Sequence, residues 1–168
     1  EEALFHPAPR AGEAPGFHVF YYGSFLPLQG VEHVVDAAAR LPDVRFTVAG
    51  DGPLRQAAMR RAEGLPNVDF PGWVPYGELP ARIARADLCL GGHFTRFRKA
   101  ASVVSTKAYQ FLACGRPTIP GDLPANRAAF EHGRHAWMVP PEDPEALAAA
   151  IRHLQDDPAL RERLGREG

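Results

Sequence analysis

The chain has 168 residues, 45% hydrophobic and 23% charged, with 19 Lys plus Arg against 20 Asp plus Glu and a net charge of −1. That length buries the core of one domain, and the charge balance lacks the basic excess that marks a nucleic-acid binder. No apolar run reaches the roughly 18 residues of a transmembrane segment. The two cysteines, Cys89 and Cys114, lie in apolar segments without metal-binding spacing and read as buried, reduced thiols of a cytoplasmic protein.

Residues 1–16 are rich in Pro, Ala and Gly, lack periodicity and do not begin with Met, so they read as a lead-in from a preceding segment. Residues 17–168 read as one domain. Phe17 to Tyr22 is a β-prone run closed by Gly23, and a loop from Ser24 to Gln29 leads to Gly30. Val31, Val34, Val35, Ala38 and Leu41 then form the stripe of an amphipathic helix that Pro42 ends. The unit repeats with a strand over Val44–Ala49, a Gly50-Asp51-Gly52 turn and a helix opened by Pro53. Short strands follow at Asn67–Phe70 and Ala86–Leu90, separated by Gly72-Trp73-Val74-Pro75 and a helix near Gly77–Ala84. After Gly91-Gly92 a loop runs to about Ser102 and a helix to Gly115; Pro117-Thr118-Ile119 is the fifth strand and His135–Val139 the sixth. Asp143-Pro144 and Asp157-Pro158 open the last two helices, the second ended by Gly165.

Apolar strands alternating with helices predict a doubly wound, Rossmann-like, six-stranded parallel sheet with helices on both faces. Such a sheet binds its ligand at the carboxyl ends of the strands. The candidate loops are therefore Gly23–Gln29, Gly50–Gly52 and Gly91–Thr106. The last enters a helix flanked by Lys99 and Lys107, and free N–H groups at a helix start favour an anion. No P-loop and no Gly-x-Ser-x-Gly elbow occurs, and Gly50-x-Gly52 continues with Arg55, which reads as a turn and not as a dinucleotide fingerprint. His93 follows two glycines at a strand end and is a ligand candidate; His6, His18, His33 and His153 read as surface or filler.

Read in order, Y-Y-G-S-F-L-P-L-Q-G, V-A-G-D-G-P-L-R, V-D-F-P-G-W-V-P, T-K-A-Y-Q-F-L-A-C-G-R-P-T-I and M-V-P-P-E-D-P-E-A-L resemble one family. It is the C-terminal, donor-binding half of group 1 retaining glycosyltransferases with the GT-B fold. The resemblance covers about Leu4 to the end. It implies a nucleoside diphosphate sugar as donor, no metal or other cofactor, and an acceptor domain preceding this chain. By resemblance Gly23 lines the first donor loop, and Ser24 and Gln29 stand where the family commonly has a diphosphate-binding Arg and Lys. Val74 stands where backbone groups meet the base, and Ser102 and Gln110 replace a pair of glutamates. With those charges absent, the diphosphate falls to Lys99 and Lys107, aided by N–H groups at Val104, Ser105 and Thr106. Gln110 keeps the ribose hydroxyls through its carboxamide. Arg96 and Arg98 read as surface charges. The missing carboxylates also leave open a non-catalytic relative, and a sugar-nucleotide epimerase of the same fold is a further alternative.

Overall fold

A computed structural model describes residues 4–10, 12 and 15–168, so part of the lead-in lies outside the described residues. Five strands, β1 (Phe17–Gly23), β2 (Val44–Gly50), β3 (Val68–Asp69), β4 (Leu88–Gly92) and β5 (Thr118–Pro120), form one sheet in the order β3-β2-β1-β4-β5. All four pairings are parallel. The helices are α1 (Val31–Ala39), α2 (Arg55–Arg61), α3 (Leu79–Ile83), α4 (Arg98–Ser102), α5 (Thr106–Ala113), α6 (Pro124–Ala129), α7 (Pro144–Asp156) and α8 (Pro158–Glu167).

Alternation along the central strands divides the core between two layers. Val19 and Tyr21 of β1 join Phe46, Val48 and the apolar faces of α1, α7 and α8, while Phe20 and Cys89 join α3 and α5 through Ile83 and Phe111. Each fully buried branched side chain, such as Ile151 or Leu154 on α7, contributes about 1.5–3 kcal/mol of transfer free energy. Phe5 of the lead-in is buried in the second layer, and Arg116 donates to the Ala8 carbonyl (2.6 Å). Both cysteines are free and buried.

Both Asp-Pro starts act as expected: Asp143 accepts from the Ala146 amide (2.8 Å) and Asp157 from that of Leu160 (2.9 Å). Three expectations fail. The sixth strand over His135–Val139 is not part of the sheet; two isolated bridges, Gly121 to Val139 and His132 to Ala136, replace it. Trp137 and Val139 donate to the Thr118 and Pro120 carbonyls (3.0 and 3.2 Å), but Pro120 has no N–H to return to this segment, so no continuous ladder forms. The loop expected before Ser102 contains α4. Gly165 lies inside α8, where a Cβ would stand 2.5 Å from the Gly115 carbonyl oxygen; the glycine serves close helix packing and not a stop.

Candidate functional site

The chain moves outward from β1 to β2 and β3, then returns to place β4 on the other side of β1. The carboxyl ends of β1 and β4, at Gly23 and Gly92, therefore border the crevice where a doubly wound sheet binds ligands. A cleft of about 420 Å³ opens there, lined by Tyr22, Gly23, Ser24, Gln29, Trp73, His93, Val103, Val104, Ser105, Thr106 and Lys107. A smaller recess of about 80 Å³ shares Tyr22, Gly23 and Trp73 and adds Val74 and Tyr76.

Backbone geometry builds the floor. Gly50 and Gly52 both have positive φ, and a Cβ on either would stand 1.8 Å from a carbonyl oxygen of the first loop, Gly23 or Ser24 respectively. The Gly-x-Gly turn thus lets the second loop lie directly against the first. Two non-glycine residues on the cleft loops, Phe25 (φ 45°) and His93 (φ 58°), hold the left-handed conformation, which costs on the order of 1–3 kcal/mol each. The loops are tied together: Thr95 Oγ1 donates to the Leu28 carbonyl (2.8 Å) and the Phe94 amide to that of Gln29 (3.2 Å).

The start of α5 is uncapped. Ser105 is the N-cap of α5 with an extended backbone, and its side chain makes no cap hydrogen bond, leaving the first helical N–H groups open. Lys107, the second residue of the helix, is only 5% exposed, and its Nζ has no hydrogen-bond partner among the described residues. It lies 4.9 Å from the Tyr21 ring centroid and 5.9 Å from that of Tyr22. Burial alone lowers its pKa to about 7. His93 Nδ1 donates to the Val103 carbonyl (3.1 Å), which makes Nδ1 the protonated nitrogen of the neutral ring. Burial first, and then the charge of Lys107, holds its pKa below the usual histidine value.

The amide side chains are engaged. Gln29 accepts from Tyr21 Oη (2.9 Å) and donates to Ser24 Oγ (3.3 Å). Gln110 is buried, accepts from Tyr22 Oη and donates to Tyr76 Oη (3.0 Å). Among the expected residues, Gly23, Ser24, Gln29, His93, Ser105, Thr106 and Lys107 line the cleft together, and Val74 lines the recess. Gln110 stands behind Tyr22, and neither Lys99 nor Ser102, both exposed on α4, lines the cleft; Ser102 Oγ donates to the Arg98 carbonyl (3.0 Å). Arg96 pairs with Glu142 (3.6 Å), and both Arg96 and Arg98 are exposed, as surface charges are expected to be.

Tyr21, Tyr22 and Trp73 escaped sequence reasoning. The tyrosines read as ordinary strand residues, and only the glycine immediately after them marks a strand end at which one of the pair, Tyr22, faces the cleft. Trp73 carried a stronger signal, because an aromatic inside a Pro-Gly-Trp-Val-Pro turn has little core to enter, and it is 69% exposed.

With this geometry described, comparison with known proteins is specific. Residues 16–157 match the family model of glycosyl transferases group 1. The chain belongs to this family. It is 30% identical over 153 residues to an alpha-D-kanosaminyltransferase of Streptomyces kanamyceticus, covering 87% of this chain and 38% of that protein. It is 31% identical over 160 residues to the lipopolysaccharide core biosynthesis glycosyltransferase LpsD of Rhizobium meliloti, covering 92% and 44%. The chain thus spans less than half the length of these relatives. Among solved structures, its fold matches that of Anabaena HepE in complex with UDP-glucose, with TM-score 0.85 and 18% identity over 99% of this chain and 49% of that one. It also matches the C-terminal domain of the group 1 protein LpcC from Francisella tularensis, with TM-score 0.81 and 17% identity over 99% of this chain and 93% of that one. The Rossmann-like sheet of the group 1 transferases is therefore shared, with five strands here. No helix of the described residues is long and apolar enough to cross a membrane.

Proposed function

We propose that this chain is the donor-binding part of a retaining glycosyltransferase, which moves a sugar from a nucleoside diphosphate sugar to an acceptor hydroxyl. The observation that carries the reading is the unpartnered, buried Lys107 beside the uncapped start of α5, in the crevice between β1 and β4. A cation and oriented N–H groups at one point suit a diphosphate. They also suit its departure, because charge that builds on the leaving group is met by preorganised dipoles, without a metal or a protein nucleophile. The glycosyltransferase names of the relatives and the UDP-glucose of the Anabaena structure support the same class.

In this reading Lys107 and the N–H groups of Ser105 and Thr106 take the diphosphate. Gly23 and Ser24 allow its close approach, and Gln29 and His93 border it. The base lies towards the recess, against the Val74 backbone and over the exposed face of Trp73. Gln110 reaches the ribose side through Tyr22, or directly once its bonds to the tyrosines open. Lys99 contributes long-range charge from α4. The acceptor site belongs to a domain outside this chain, linked through the lead-in over residues 1–16, so this part alone binds donor without turnover. A cytoplasmic location goes with a nucleotide-sugar donor.

Isothermal titration with UDP, GDP and ADP and their sugars tests the proposal. Saturable binding of one nucleotide is expected, and no binding of any at millimolar concentration overturns it. A second reading rests on one observation: Gln110 and Ser102 stand without carboxylates, and Gln110 is bound on both sides by tyrosines. That is the state expected of a relative that retains nucleotide binding and has lost transfer. Nucleotide affinity without transfer by the chain joined to an acceptor domain would select it, whereas isomerisation of the donor sugar without acceptor would select an epimerase.

A further inference from the structure

We infer that the cleft takes up a proton together with its anionic ligand, and that Lys107 is the group that gains it. The inference rests on the donor-binding reading above and adds how the site acquires its charge. The chain has only two lysines, Lys99 on the exposed face of α4 and Lys107 inside the cleft wall. Lys107 Nζ is out of contact with water, and no carboxylate pairs with it among the described residues.

The groups around it supply little charge. From β1 come the Tyr21 and Tyr22 rings, both phenols held neutral by burial. The end of β4 gives Gly92, where a Cβ would stand 2.9 Å from Nζ, and then His93, which Lys107 itself discourages from protonation. From its own helix come Gln110 and Thr106, both neutral. The Glu32 carboxylate of α1 acts on Tyr21 and is not a partner of Lys107. An ammonium here has two ring faces and no counter-ion, so burial disfavours the charged form until an anion arrives. A diphosphate at the start of α5 supplies the missing counter-charge, and Nζ then binds a proton taken from the buffer. At pH 8 the empty cleft is close to neutral, and the filled one holds an ion pair made at the moment of binding.

The test uses this chain labelled with 13C at lysine Cε, so that the NMR spectrum holds two signals, assigned with Lys99→Ala. In the empty protein one signal titrates near pH 7; with saturating UDP, or whichever of UDP, GDP and ADP binds, the same signal is expected to remain in its charged form at pH 8. Calorimetry at pH 8 in Tris and HEPES should show uptake of about 0.9 proton per nucleotide, the phosphate being already ionised there. Lys107→Arg, permanently charged, should abolish the uptake while binding persists, and His93→Gln should leave the uptake in place. Nucleotide binding with an unmoved lysine signal and no proton uptake overturns this inference and leaves the donor-binding reading standing. Uptake that survives Lys107→Arg also overturns it. Absence of binding by all three nucleotides overturns the donor-binding reading itself.

Discussion

Replacing Lys107 by Met, a side chain of similar length without charge, should stabilise the fold by an amount that depends on pH. The folded pKa is about 7 against 10.5 for the free side chain, and the group is 5% exposed, so the full shift enters the stability. A lysine with a lowered folded pKa leaves the unfolded chain holding more protons between those two values, so the stability of the natural chain rises with pH across that window. At pH 7 the penalty is about 4 kcal/mol, at pH 9 about 2 kcal/mol and at pH 11 close to zero. Loss of the contact with the tyrosine rings removes about 1 kcal/mol from the gain. Lys107→Met should thus melt roughly 10 °C higher at pH 7, taking about 2–4 °C per kcal/mol for a domain of this size. The decisive measurement is urea unfolding of both proteins at pH 7, 8 and 9. The Met variant's advantage should shrink by about 2 kcal/mol over that range, while every other titrating group cancels in the difference. An advantage that stays constant with pH, or none at pH 7, refutes the account of Lys107 as an uncompensated buried cation.

Trp73→Ala should weaken nucleotide binding by about 1–3 kcal/mol, the value of one base–aromatic stack, with little change in the melting temperature because the ring is 69% exposed. Equal affinity in a titration would remove Trp73 from the base side of the site. Gly50→Ala drives a Cβ to 1.8 Å from the Gly23 carbonyl oxygen, so it should lower both the urea midpoint and nucleotide affinity. Asp143→Ala, outside the cleft lining, should cost about 1 kcal/mol through loss of the α7 cap and leave nucleotide affinity unchanged in the same titration.

Much of the fold was legible because strong local signals agree with tertiary structure. The α1 stripe, the two Asp-Pro starts and the apolar central strands each followed from patterns within a few residues. The failures arise where the deciding partner is distant in the chain. Gly165 looked like a stop, yet it is a contact with Gly115, fifty positions away. His135–Val139 is strand-like in composition and bonds β5 through the Trp137 and Val139 amides, but Pro120 has no N–H to complete the ladder. In the site, the loops were identified from topology and the order of motifs. The side-chain roles were less accessible: Lys99 and Lys107 look alike in sequence, and only the position of α4 separates an exposed charge from a buried one.

That separation bears on how a cleft without the family's usual charges can still hold a diphosphate. Ser24 and Gln29 leave the first loop neutral, so cationic character rests on α5: the N–H groups at its start and Lys107 within its first turn. A permanently charged arginine in the first loop would attract anions of many kinds from solution. A lysine withheld between two tyrosine rings gains full charge only when an anion is close enough to repay its desolvation. Its interaction should therefore strengthen as negative charge concentrates on the diphosphate, more than on an intact sugar nucleotide, which is the differential that lowers a barrier. The glycine at position 92 is part of this device, because a Cβ there would stand 2.9 Å from the ammonium nitrogen and crowd it. Gly92→Ala should consequently displace Lys107 towards water and raise its pKa. A lysine NMR signal that still titrates near pH 7 in that variant would show that the pocket does not depend on the glycine.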